Sequence, residues 1–67
     1  MEFKEKVLYV RAKLNISQME LAKELGVAFQ TINRWELGKV SPTKKAEYAF
    51  ELYCKEKNIK FEKETNK

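Results

Sequence analysis

Residues 26–39 read GVAFQTINRWELGK, and the fold turns on how this stretch is read. It holds a Phe and a Trp six residues apart, two amide side chains, one Arg, and a Gly at position 38 that reads as a stop. A helix from Phe29 to Leu37 is too short to be stable alone in water. Other parts of the chain must hold it, so the question is which side chains anchor it and which it presents.

Outward from this stretch, only one Pro and two Gly interrupt the 67 residues, and the β-branched residues never alternate for long. That pattern predicts helices with short connections. Phe3, Val7, Val10 and Leu14 recur at steps of four, three and four, which gives a first amphipathic helix over about 3–13. After the connection NIS, Ser17 opens a second helix with the capping box SQME. The Ser17 hydroxyl accepts from a free backbone N–H, and Glu20 reaches back to the Ser17 amide. This helix runs through QMELAKEL to Gly26, which takes the left-handed conformation cheaply. A fourth helix follows VSPT, with Pro42 and Thr43 as start signals, and continues to about residue 57. Residues 1–58 are expected to form the domain. Residues 59–67, IKFEKETNK, form a charged, frayed tail from which Ile59 and Phe61 pack back on the body.

Leu21, Ala22 and Leu25 share one face of the second helix, and Val27, Ile32 and Trp35 are the apolar positions of the third segment that meet them. Ala22 is small enough for two helix backbones to cross closely, and Gly26 makes the sharp connection. Two short helices crossing through a glycine turn form a helix-turn-helix. The spacing Gln18-x-x-Leu21-Ala22-x-x-Leu25-Gly26-Val27, then Ile32-x-x-Trp35-Glu36-x-Gly38, resembles the Cro/lambda-repressor (XRE) family of DNA-binding domains over about residues 3–57. The resemblance implies an all-α, compact bundle of four helices, or five, as in lambda repressor.

It also implies roles. Ile32 and Trp35 anchor the short helix, and Ala28, Phe29, Gln30, Asn33 and Arg34 remain on the face that such proteins lay in the major groove. The chemistry suits that face: Gln pairs bidentately with adenine, Arg with guanine, and Phe29 offers a surface for a thymine methyl. For Asn33 a merely solvated position competes equally, and Phe29 has the alternative of packing on a partner protein or on the domain's own rim. Phosphate contacts are expected from Ser17 and Gln18 at a helix N-terminus, and from Lys39 and Lys44 or Lys45. Between Leu25 and Ala46 four cations face one acid, Glu36, whereas the segment from Glu47 onward balances five Lys with five Glu. In the resembled family the acid matching Glu36 pairs with an arginine of the first helix, here Arg11, which makes the two a structural ion pair. Three positions depart from the family's pattern: Ala28 replaces a Ser or Thr cap, Leu37 stands where relatives are often polar, and the dimer-forming fifth helix has no clear counterpart. Phe50, Tyr53, Ile59 or Phe61 are open to two readings, as a dimer surface or as core and rim.

Composition narrows the function. A hydrophobic share of 43% with four Phe, three Tyr and one Trp supports a thin core and one small domain. A formal net charge of +4 and a pI near 9.3 favour a polyanionic partner. With no His, no Asp and a single Cys, a zinc site by the usual spacings and the Ser-His-Asp and Cys-His catalytic arrangements are excluded. No enzyme, cofactor, metal or small-molecule ligand is expected. The lone Cys54 argues against a disulfide-stapled secreted domain and reads as a passive helix residue. The apolar run VLYV is far too short for a signal peptide or a membrane span, so a cytoplasmic location is expected. The leading expectation is a sequence-specific transcriptional regulator, a repressor, that binds double-stranded DNA, with homodimerisation left open. Its rivals are an antitoxin-type or partner-binding module on the same fold, and a DNA-targeting module of a longer protein.

Overall fold

The computed structural model describes residues 1–61, and these form helices α1 (Phe3–Leu14), α2 (Gln18–Leu25), α3 (Phe29–Leu37) and α4 (Lys44–Glu56) with no strand among them. The sequence placed α2 and α3 within the same bounds, α1 one residue short, and α4 one residue long. The first helix carries a start signal that its apolar periodicity did not reveal: Glu2 and Glu5 form a capping box, with Glu5 Oε1 accepting from the Glu2 amide at 2.8 Å. The Ser17 box forms as read, Glu20 N–H donating to Ser17 Oγ at 3.0 Å and Ser17 N–H to Glu20 Oε1 at 2.8 Å. Thr43 caps α4 through the Ala46 amide at 3.1 Å.

The helices close through left-handed residues: Asn15 (φ 56°), Gly26 (72°) and Gly38 (73°) directly follow α1, α2 and α3, whereas α4 passes first through Lys57 (φ −88°, ψ 4°) before Asn58 (63°). The next amide then reaches back five residues, Ile16 to Arg11 at 3.1 Å, Val27 to Ala22 at 3.0 Å, Lys39 to Arg34 at 3.0 Å and Ile59 to Cys54 at 2.8 Å. This is the Schellman closure, which satisfies helix carbonyls that would otherwise lack donors and turns the chain back over the body. Gly26 has open space around its missing side chain, so its requirement is the backbone conformation alone.

The turns deliver apolar residues to one core of Val7, Val10, Leu21, Ala22, Ile32, Trp35, Phe50, Tyr53, Cys54 and Ile59. Phe3 bridges it edge-on, with ring centroids 5.1 Å from both Trp35 and Phe50. Ile59, carried in by the α4 closure, is buried, and Phe61 stacks against Phe50 and tilts on Tyr9. Of the open choice over Phe50, Tyr53, Ile59 and Phe61, the structure takes core and rim: the first three are buried and Phe61 is half-buried at the edge of the core. Cys54 is likewise a core residue. The remainder of the expected tail, 62–67, lies outside the described residues. Among the described residues no helix is long and apolar enough to cross a membrane.

Candidate nucleic-acid interface

The short α3 is anchored by its two buried side chains, Ile32 and Trp35, against α1 and α2. Its opposite side carries Phe29, Gln30 and Arg34, all exposed, preceded by exposed Ala28. Ala28 has the extended backbone of an N-cap (φ −73°, ψ 151°) but no side-chain oxygen, so the start of α3 is closed by no side-chain hydrogen bond. Asn33 lies at the edge of this face, half-buried, with its amide nitrogen 3.5 Å from Gln18 Oε1.

Behind that face a polar cluster ties three helices together. Arg11 of α1 grips Glu36 of α3 with two parallel bonds, Nε to Oε2 at 2.6 Å and Nη2 to Oε1 at 2.9 Å. A third arginine bond, Nη1 to the Ile16 carbonyl at 3.2 Å, fastens the same side chain to the turn before α2. Gln18, the first residue of α2, donates through Nε2 to Glu36 Oε1 at 2.7 Å. The Glu36 side chain is only 7% exposed and the Arg11 side chain 24%, so the pair lies between the buried and exposed cases. Burial alone pushes the Glu36 carboxyl up, yet the hydrogen bonds from Arg11 and Gln18 and the arginine's charge outweigh it and hold it below its ordinary value. The bonds it donates to Glu36, against the opposing effect of burial, raise the Arg11 guanidinium. The acid beside the presented face is thus ionised and neutralised internally, and contributes little repulsion to an approaching anion.

The sequence profile of the helix-turn-helix family matches residues 7–46, more than half of the chain and all of α2 and α3. This chain belongs to the Cro/C1-type helix-turn-helix family. A Methanocaldococcus jannaschii protein named as an uncharacterized HTH-type transcriptional regulator is 50% identical over 42 residues, 63% of this chain. The chain spans 64% of that relative's length. No solved structure matches at a significant level.

Within this helix-turn-helix the expected site residues fall in three places. Ala28, Phe29, Gln30 and Arg34 share the open side of α3. Ser17 is exposed at the start of α2, while the side chain of Gln18 turns inward to Glu36, leaving the Gln18 backbone N–H, which has no partner within the helix, as its outward group. Lys39 follows the α3 closure, and Lys44 and Lys45 occupy the first turn of α4, all exposed. Two features escaped the sequence. The Asn33–Gln18–Glu36 chain of hydrogen bonds spans residues 15 and 18 positions apart and has no local signature. Met19 is the other: it is 64% exposed in α2, and Phe29 in α3 is 42% exposed. The outward, polar-flanked position of Met19 in QMELAKEL was the available signal.

Proposed function

We propose that this helix-turn-helix domain is a sequence-specific DNA-binding transcriptional regulator of the cytoplasm, with no catalytic activity of its own, that represses by occupying its operator. The observation that carries this reading is the division of α3: Ile32 and Trp35 hold it from behind while Gln30 and Arg34 stand free on the open side. On this reading α3 enters the major groove, Gln30 and Arg34 read base edges, and Phe29 covers a thymine methyl with Ala28 beside it. Asn33, engaged with Gln18, serves chiefly to set the edge of the reading face. Ser17 and the Gln18 backbone, Lys39, and Lys44 or Lys45 take phosphates. The placement of the lysines supports this: Lys44 and Lys45 begin α4 at the positive end of the helix dipole, where their charge gains nothing inside the domain. The relative's name as a transcriptional regulator agrees with the proposal.

The test is binding to random-sequence duplex DNA over a salt series, followed by selection of the preferred sequence. Affinity is expected to fall steeply with salt, and selection to return a short motif. Arg34→Ala and Gln30→Ala should each relax individual bases at a cost of about 1–3 kcal/mol, and Lys39→Ala should weaken all sequences alike. A second reading, docking on a protein partner, is favoured by exposed Phe29 and Met19. It predicts binding that is weak, indifferent to sequence and insensitive to salt.

A further inference from the structure

Between α4, the start of α1 and the segment that follows α4 lies a groove of about 780 Å³, within the range of small-molecule sites. Glu47, Phe50, Glu51, Cys54 and Lys55 form one wall, spaced so that they share a face of α4. Phe3 and Lys6 of α1 and residues 58–61 complete it. At the floor, Phe50, Cys54 and Ile59 are 1%, 4% and 6% exposed, while Phe3 and Phe61 stand half-buried at the sides. The groove is therefore narrow at its base, which suits an unbranched chain better than a ring system. The rim is charged unevenly. Lys6, Lys55 and Lys60 stand against Glu47 and Glu51, and both acids precede Lys55 on α4, by two turns and by one. The Lys6 ammonium lies 5.3 Å from the centre of the Phe61 ring. Among the described residues none of these three lysines is in an ion pair. Burial acts most strongly on the Cys54 thiol, and of the two charges felt there the cation Lys6 outranks the acid Glu51.

We propose that this groove binds a free alkyl carboxylate, its chain lying over Phe50 and Ile59 and its head group held at the lysine end. The chain removes apolar surface from water on both sides of the contact. A carboxylate gives the unpaired ammonium groups charge-assisted hydrogen bonds, whereas a cationic head group would meet three like charges. The attraction is not shared equally. Lys55 lies in the last turn of α4, where it already offsets the negative end of the helix dipole, so Lys6 and Lys60 supply most of it. The acids Glu47 and Glu51 repel the head group from the other end and so fix the direction of the chain. Residues 62–67, EKETNK, carry no apolar side chain that could cover the floor instead. None of the groove's residues is among those assigned to bases or phosphates, so the two sites are separate.

The inference goes beyond DNA binding and is tested without DNA, so its failure leaves that reading intact. Octanoate titrated into the whole chain at pH 7, followed by the NMR shifts of backbone amides, is the measurement. Saturable shifts are expected at Phe3, Phe50, Cys54, Ile59 and Phe61, with a Kd of about 1 mM, the strength a ligand of this size attains. Octylammonium, the same chain with the opposite charge, should bind about ten-fold or more weakly. Lys6→Gln with Lys60→Gln should weaken octanoate about ten-fold and remove its advantage over octylammonium. Glu51→Gln should tighten octanoate about three-fold by removing a like charge. The amide spectrum of each variant verifies that the fold is kept, as surface substitutions permit. Four outcomes overturn the proposal: no saturable shift up to about 10 mM, ten times the expected Kd; equal binding of octylammonium; shifts centred on Met19 and Phe29; or nuclear Overhauser contacts from residues 62–67 to the floor, which would give the groove to the chain itself.

Discussion

Gln18 donates its side-chain amide to Glu36 at 2.7 Å across the helix-turn-helix, onto the same carboxylate oxygen that receives Arg11 Nη2. The two donors are not equivalent. Removing Gln18 leaves the acid paired with its arginine, whereas removing Arg11 strands a carboxylate that is nearly buried. Arg11→Ala should therefore cost about 2–4 kcal/mol, below the full buried-pair range because the guanidinium is partly wet, and Gln18→Ala about 1 kcal/mol. Urea unfolding that shows Gln18→Ala to be the costlier change would remove the arginine from the centre of this cluster.

The same carboxylate gives the domain an acid limb. Its value lies below the ordinary 4.5 in the folded state, so folding favours the ionised form. The resulting stability is fully present above the ordinary value and fades as pH falls through the lower folded one. Glu36→Gln should be less stable than the parent at neutral pH, and the difference should shrink progressively below about pH 4.5. A difference independent of pH in that range would show that the carboxylate's charge contributes nothing.

Ile59 sits in the core because Asn58 takes a left-handed turn and lets the Ile59 amide close on Cys54. Ile59→Ala should cost about 2–4 kcal/mol, the scale of a buried aliphatic truncation. Asn58→Gly should stabilise by a few tenths of a kcal/mol, since glycine enters that conformation more freely. Thermal melts of both variants verify the pair of opposite signs.

Ala28 holds the extended conformation of a helix cap without the oxygen that a cap supplies. Ala28→Ser should raise stability by about 1 kcal/mol, or roughly 4–8 °C in the melting temperature of a domain this size. No gain would mean that the α3 start is already satisfied by water.

Cys54 is buried, and burial pushes its thiol up to about 11. Alkylation at neutral pH should accordingly proceed only through opening of the domain, and accelerate in parallel with the unfolded fraction as urea is added. Rapid labelling in the absence of urea would place the thiol outside the core.

The parts of this architecture that could be read from sequence are those whose physics is local. SQME and Gly26 bound α2, and Gly38 ends α3, since capping and left-handed closure depend on side chains within one turn. The Glu2–Glu5 box was equally local, but an acid in place of Ser or Thr at the cap is a weaker signal. Ile59 was expected to pack back, yet nothing short of the fold distinguished core from dimer surface for Phe50 or Tyr53. The inward turn of Gln18 was beyond reach because it depends on where α3 brings Glu36. A residue at a helix start in this pattern suggests its exposed backbone, and the direction of its side chain is a tertiary matter.

The left-handed closures of α1 and α2 have a mechanical consequence. Each connection through residue 28 spends its few residues on hydrogen bonds to the helix it leaves, so α1, α2 and α3 have no slack in which to shift against one another. Whatever the open side of α3 meets, it meets with a backbone already set. The ordering cost of association then falls on a few surface side chains and on the partner, which must do the bending.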